Sequence, residues 1–222
     1  MSYRPIQKDL TEATVLCYFC DRPLKSLKRY ILENLEKNES VNAGPTCAEK
    51  NLDKKYNLNS IPDFTKYTLS SQKEDTEEIT NRSNKGSRNL SILKTEEVNL
   101  RTAIEYLELR ENKLAESCNT SYPILKNYYE TYQNTRNLDS DSVNHILNLE
   151  KNAPEKYKIK NLQKCYNYLF WLNISIARLG DEANRFLIPI REYLKKNMRI
   201  TENQKRGVNN WLKNLDGIPQ LK

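Results

Sequence analysis

From Thr95 onward, apolar residues recur at three- and four-residue steps, the period of a helix buried along one face. In TEEVNLRTAIEYLELRENKLAE the stripe runs through Leu100, Ile104, Leu107 and Leu114. YPILKNYYETYQN predicts a second helix beginning at Pro123, because proline suits the first helical position. LDSDSVNHILNLEKN predicts a third, capped by Asp or Ser within 139–142. IKNLQKCYNYLFWLNISIARLG is apolar around most of its circumference and predicts the most buried helix, stopped by Gly180. DEANRFLIPIREYLKKN follows, with Phe186, Ile190, Tyr193 and Leu194 expected inward. ITENQKRGVNNWLKNLDG opens on a capping box, Thr201 and Gln204, and buries Val208, Trp211, Leu212 and Leu215.

The first 67 residues read differently. Leu24, Leu27, Ile31 and Leu35 in LKSLKRYILENLEKN stand at helical spacing and predict one helix there, with Ile61-Pro62-Asp63-Phe64 as an extended exit. Residues 68–95 are polar, almost free of aromatics and punctuated by serines and Gly86, the composition of a linker. The expected fold class is therefore mainly α: an N-terminal module (1–67) with an inserted helix, a polar linker (68–95), and a C-terminal helical bundle (96–222). No apolar run reaches the roughly 18 residues of a membrane span, so no membrane partner is expected. MSYRPIQKDLTEATV has no apolar signal-peptide core, so the expected compartment is the cytosol.

Charge changes this picture in one region. The formal net charge is +7, but residues 151–222 alone carry +9, with 15 basic and 6 acidic residues, whereas 98–150 carry −3, with 5 basic and 8 acidic. A basic last third points to a polyanionic partner, nucleic acid first, or else to a solvated lysine surface. The candidate contacts are Lys195, Lys196, Arg199, Lys205 and Arg206 around KKNMRITENQKR. In the acidic middle, Tyr122, Tyr128, Tyr129 and Tyr132 are candidates for a protein interface, since tyrosine buries its ring while keeping its hydroxyl paired. The competing reading packs them between helices.

The cysteines are the chief chemical signal. Five cysteines in a chain without an export signal are expected to be reduced thiols rather than a disulfide framework. Cys17 and Cys20 form a C-x₂-C pair, a spacing at which one tight turn presents two thiolates to a tetrahedral zinc ion. Cys47 follows the Gly44-Pro45 turn and precedes a short helical run. Three ligands leave a fourth to find, and Cys118, Cys165, His145, Asp21 and Glu49 are all open to that role.

Cys17-x-x-Cys20-x-x-x-Leu24 followed by Ser40-x-x-x-Gly44-Pro45-x-Cys47 resembles a small three-cysteine, zinc-ribbon-like domain of unknown function found in phage and mobile-element proteins. Phe186, Tyr193, Thr201, Gln204 and Val208 resemble a two-helix segment that often accompanies it. The resemblance implies a Zn2+ cofactor held by Cys17, Cys20 and Cys47 and a phage or mobile-element origin. The stretch between Leu24 and Ser40 is longer than in that pattern, and 68–180 lies outside it.

No catalytic constellation accompanies these residues. There is neither G-x-x-x-x-G-K-[ST] nor G-x-G-x-x-G, and the five glycines leave little for a phosphate-cradling loop. His145 is the sole histidine, and no nucleophile elbow surrounds any serine. Cys47 and Glu49 have C-x-E spacing, but the P-C-x-x-C partner of a zinc deaminase is missing. The expected function is non-enzymatic: a zinc-stabilised protein associated with nucleic acid. The alternative is a protein-binding modulator of a host nucleic-acid-processing or defence complex.

Overall fold

The computed structural model describes two segments, residues 2–67 and 88–222, with 88–93 described in backbone only. The first is a three-stranded antiparallel sheet in the order β1-β2-β3, built from β1 (Tyr3–Leu10), β2 (Lys28–Asn34) and β3 (Ser40–Ala43), followed by the short helix α1 (Pro45–Asn51). Tyr3 pairs with Asn34 and Leu10 with Lys28, and the register slips between Pro5 and Gln7. Proline, which has no N–H to give the ladder, is tolerated here because β1 is an edge strand.

The helix expected across Leu24–Asn38 is instead β2 with its flanking turns. Its apolar residues do not share a face. Leu27 adopts a left-handed conformation (φ 55) that a helix interior excludes, and Leu35 is 40% exposed. Leu27 enters the large core shared with the helices, whereas Leu24 and Leu32 belong to a small one around Tyr3, Cys17, Ala43 and Ala48. The four-residue spacing was a coincidence of two cores. The extended reading of 61–64 holds: the Phe64 N–H donates to the Lys8 carbonyl at 2.9 Å, and the Lys8 N–H to the Pro62 carbonyl at 2.9 Å.

The second unit is helical: α2 (Arg88–Glu108), a π-helical turn (Leu109–Lys113), α3 (Ala115–Cys118), α4 (Pro123–Thr135), α5 (Ser140–Asn152), α6 (Ile159–Arg178), α7 (Asp181–Asn197) and α8 (Glu202–Leu212). α2 begins at Arg88, inside the stretch expected to be linker; the remainder of that stretch, 68–87, lies outside the described residues. The caps follow the sequence. The Asp139 carboxylate accepts the Ser142 N–H at 2.8 Å, and Thr201 and Gln204 form both halves of the capping box. Gly180 plays another part than expected: α6 ends at Arg178, and Gly180, with φ −80, is the N-cap of α7. The inward stripe of α7 is Ala183, Leu187, Ile190 and Leu194; Phe186 and Tyr193 fall one step to the side and are 39% and 38% exposed.

Trp171, Leu162, Leu172, Cys165 and Leu187 form the centre of the helical core, all fully buried. The sheet meets this unit through Leu10, Leu27 and Phe64, and through a buried polar knot at Asp9. The Asp9 carboxylate accepts hydrogen bonds from Lys113 Nζ (2.6 Å), the Tyr166 hydroxyl (2.8 Å), Gln7 (3.1 Å) and the Leu10 amide (2.8 Å). Nearby, Asn167 of α6 donates to the Phe64 carbonyl at 2.9 Å. No described helix is long and apolar enough to cross a membrane.

Candidate metal centre

The Cys17–Cys20 turn is a short antiparallel loop closed by the Leu16–Pro23 pairing. The Cys17 N–H donates to the Arg22 carbonyl at 2.9 Å and the Leu24 N–H to that of Val15 at 2.8 Å. At its tip the Asp21 N–H returns to the Cys17 carbonyl at 2.9 Å, with Asp21 in the left-handed region (φ 55). The loop is tied to β3 by the Tyr18 N–H, which donates to the Asn42 carbonyl at 2.9 Å. Cys47 arrives on the first turn of α1, started by Pro45.

These elements bring three sulfurs together. The Sγ atoms of Cys17, Cys20 and Cys47 all lie within 4.8 Å of one another, and Cys47 Sγ is 3.6 Å from Cys20 Sγ. Thiolates at about 2.3 Å from a tetrahedral ion sit roughly 3.8 Å apart, so the triad is already near coordination spacing. Cys17 is buried, Cys47 half-buried and Cys20 exposed, which places the cluster at the surface with one side closed.

The protons on this cluster are shared unequally. Burial opposes ionisation of Cys17, but hydrogen bonds from the Gly44 and Phe19 amides and from the other two thiols outweigh it and hold its pKa below the ordinary thiol value. Donation to Cys20 and to Cys17 pushes Cys47 up to about 11. A metal ion binding here displaces these protons, so its affinity rises with pH.

Gly44 and Leu24 acquire roles from the geometry. A Cβ on Gly44 would stand 3.2 Å from Leu24 Cδ2, so the glycine lets the turn before α1 close onto that leucine. This approach also directs the Gly44 amide at Cys17. Beside the triad, Tyr3 and Phe19 pack edge to face at 5.0 Å, and Phe19 and Tyr18 at 5.3 Å.

None of the five candidate fourth ligands joins the triad among the described residues. Cys118 and Cys165 lie against each other in the helical unit, Sγ to Sγ 3.8 Å. His145 Nδ1 is hydrogen-bonded to the Tyr128 hydroxyl at 2.8 Å. Asp21 and Glu49 place no carboxylate oxygen in the cluster.

Four of the five basic candidates divide between two clefts. Lys195 and Lys196 line one together with Lys156, Tyr157 and Cys118. Arg199 and Lys205 line the other together with Lys164 and Cys165. Lys156 and Lys164 were missed by motif reading because they lie far from the α7–α8 turn in sequence; the charge count of the last third contained them without locating them. Acids share the surface: Glu192 is 3.0 Å from Lys195, and Glu202 is 2.8 Å from Lys205. Arg206 is exposed and donates to Asn203. Of the tyrosines, Tyr122 is 41% exposed, Tyr128 and Tyr129 are packed partly against the helical core, and Tyr132 is buried. Burial pushes Tyr129 up to about 12.

No protein-family model, curated protein or solved structure matches the chain.

Proposed function

We propose that Cys17, Cys20 and Cys47 hold a structural zinc ion and that the helical unit offers the two lysine-lined clefts to nucleic acid. The observation that carries the metal reading is the convergence of three thiols at coordination spacing from a turn and a helix start. Thiolate-rich tetrahedral sites select zinc over calcium or magnesium, and a small unit with few buried side chains gains most from such a staple. The role proposed for the triad is structural and non-catalytic.

The nucleic-acid reading is supported by Lys156 and Lys164 meeting Lys195, Lys196, Arg199 and Lys205 from other parts of the chain. Phosphate contacts of this kind give a binding constant that falls steeply with salt. The test is zinc content and nucleic-acid titration on one preparation. About one zinc per chain, together with labelled DNA or RNA binding that weakens with salt and is reduced in a K195E/R199E/K205E variant, supports both halves. Absence of metal rejects the first half, and salt-insensitive or absent binding rejects the second.

A second reading, a modulator that docks on a host protein complex, draws on Tyr122 and Ile124, 41% and 40% exposed at the start of α4. Nuclease-resistant co-purification lost in a Y122A/I124S variant would favour it. A phage or mobile-element origin and a cytosolic location are proposed with the zinc-ribbon resemblance and the sequence pattern as their support.

A further inference from the structure

Cys118 and Cys165 are 47 residues apart in sequence, yet their sulfurs are 3.8 Å apart. Their surroundings are unequal. Cys165 lies seven residues into α6, fully buried beneath the cleft lined by Lys164 and Arg199. Cys118 ends the short helix α3, is half-buried, and lines the cleft shared with Lys156, Lys195 and Lys196. The chain then turns through Asn119 in the left-handed region (φ 50). We propose that these two cysteines are a redox pair, in which Cys118 reacts with a hydroperoxide from the cleft and Cys165 resolves the product into an intramolecular disulfide.

The arrangement supplies what each partner needs. A peroxide-sensing thiol must be reachable and ionised, and its resolving thiol must sit behind it. The hydrogen bond from Cys165 is the main influence holding the Cys118 pKa below the ordinary thiol value; burial opposes it, and the Ser117 hydroxyl and the Lys195 charge assist. Cys165, donating that bond in a buried setting, is held protonated.

The chemistry balances with hydrogen peroxide as the named oxidant. The Cys118 thiolate attacks one peroxide oxygen and the O–O bond breaks. The hydroxide released takes up the proton that the thiol had lost and leaves as water, while Cys118 becomes a sulfenic acid. The Cys165 sulfur then attacks the Cys118 sulfur and the S–O bond breaks. The departing hydroxide carries off the Cys165 proton as a second water. Two thiols lose two electrons, and the peroxide gains them. Closing the sulfurs to about 2.05 Å requires an approach of roughly 1.8 Å. The four-residue helix α3 can supply this movement more readily than the twenty-residue α6.

This proposal does not rest on the nucleic-acid reading of the clefts, and the test is direct. Protein as purified is treated with stoichiometric hydrogen peroxide, alkylated, and digested with trypsin without reduction. Segments 114–126 and 165–178 each carry one of the two cysteines and no other. The expected result is a peptide pair linked through Cys118 and Cys165, released by dithiothreitol and absent from C118S. In C165A, Cys118 should accumulate as a sulfenic acid that takes up dimedone. The inference is overturned if the linked pair is absent and Cys118 remains fully alkylatable. It is equally overturned if the disulfides formed join only Cys17, Cys20 and Cys47. The wild-type mapping decides the matter even if C165A fails to fold.

Discussion

The cysteine end of the sheet and the helical unit solve the same problem with different means. The helices bury Trp171, Leu162, Leu172, Leu187 and their neighbours in one continuous core. The cysteine end has a cluster of five buried apolar residues, Tyr3, Cys17, Leu32, Ala43 and Ala48, one of which is itself a candidate ligand. At about 25 cal/mol per Å² of buried apolar surface, so few side chains cannot offset the entropy of ordering the loops around them. The contrast teaches where a metal matters. It should stabilise the cysteine end and be nearly irrelevant to the helices.

The strongest way to break this comparison is to remove the cysteines proposed to hold a metal. Cys17→Ser or Cys47→Ser should abolish stoichiometric zinc and loosen 2–52, while helical circular dichroism stays close to wild type. Hydrogen exchange should therefore rise in the sheet's cysteine end alone; a global collapse would mean that the two regions are one cooperative unit.

The seam is the next target. Asp9→Ala leaves the half-buried Lys113 ammonium without its carboxylate partner, and loss of one member of such a pair should cost up to about 3 kcal/mol. Denaturant unfolding followed by helical signal would register that loss. Tyr166→Phe removes one charge-assisted hydrogen bond to the same carboxylate and should cost about 1.5–3 kcal/mol.

Alkali separates the regions more gently. Burial pushes Tyr129 and Tyr168 up to about 12, and Tyr166 is raised by burial and by the neighbouring Asp9 charge. Unfolded phenols ionise near pH 10, so the folded state binds these protons more tightly. Their contribution is complete below about pH 10 and is lost as pH rises from there through about 12. Thermal unfolding across this range, with phenolate absorbance as the second signal, should show the helical unit failing as its tyrosines ionise. The smallest expected effect is Thr201→Ala, which removes one half of the capping box and should cost about 1 kcal/mol, seen as a small drop in Tm.

The helices were legible because one face of each meets one core, so period and burial agree. Pro123, Asp139 and Thr201 marked their starts through local chemistry that tertiary packing did not override. The sheet was not legible. In β1 the buried positions include Gln7 and Asp9, while Ile6 is only half-buried, so hydrophobicity runs against the pleat. Asp9 is satisfied by Lys113 and Tyr166 from the helices, which no local window contains, and Gln7 in turn by Asp9. The cysteine triad was legible from C-x₂-C and G-P-x-C spacing, yet the spacing could not separate Cys118 and Cys165 from it. Only the packing of α3 against α6 shows that they face each other.

The Asp9 knot also bears on the order in which the chain assembles during synthesis. Its partners Lys113 and Tyr166 lie 104 and 157 residues downstream, whereas the three cysteines are all present within the first 47. With domains generally forming from the N-terminal side as the chain emerges, the three cysteines can come together long before α6 leaves the ribosome. Until α6 arrives the Asp9 carboxylate lacks its Tyr166 partner, and the fastening of β1 to the helices stays incomplete.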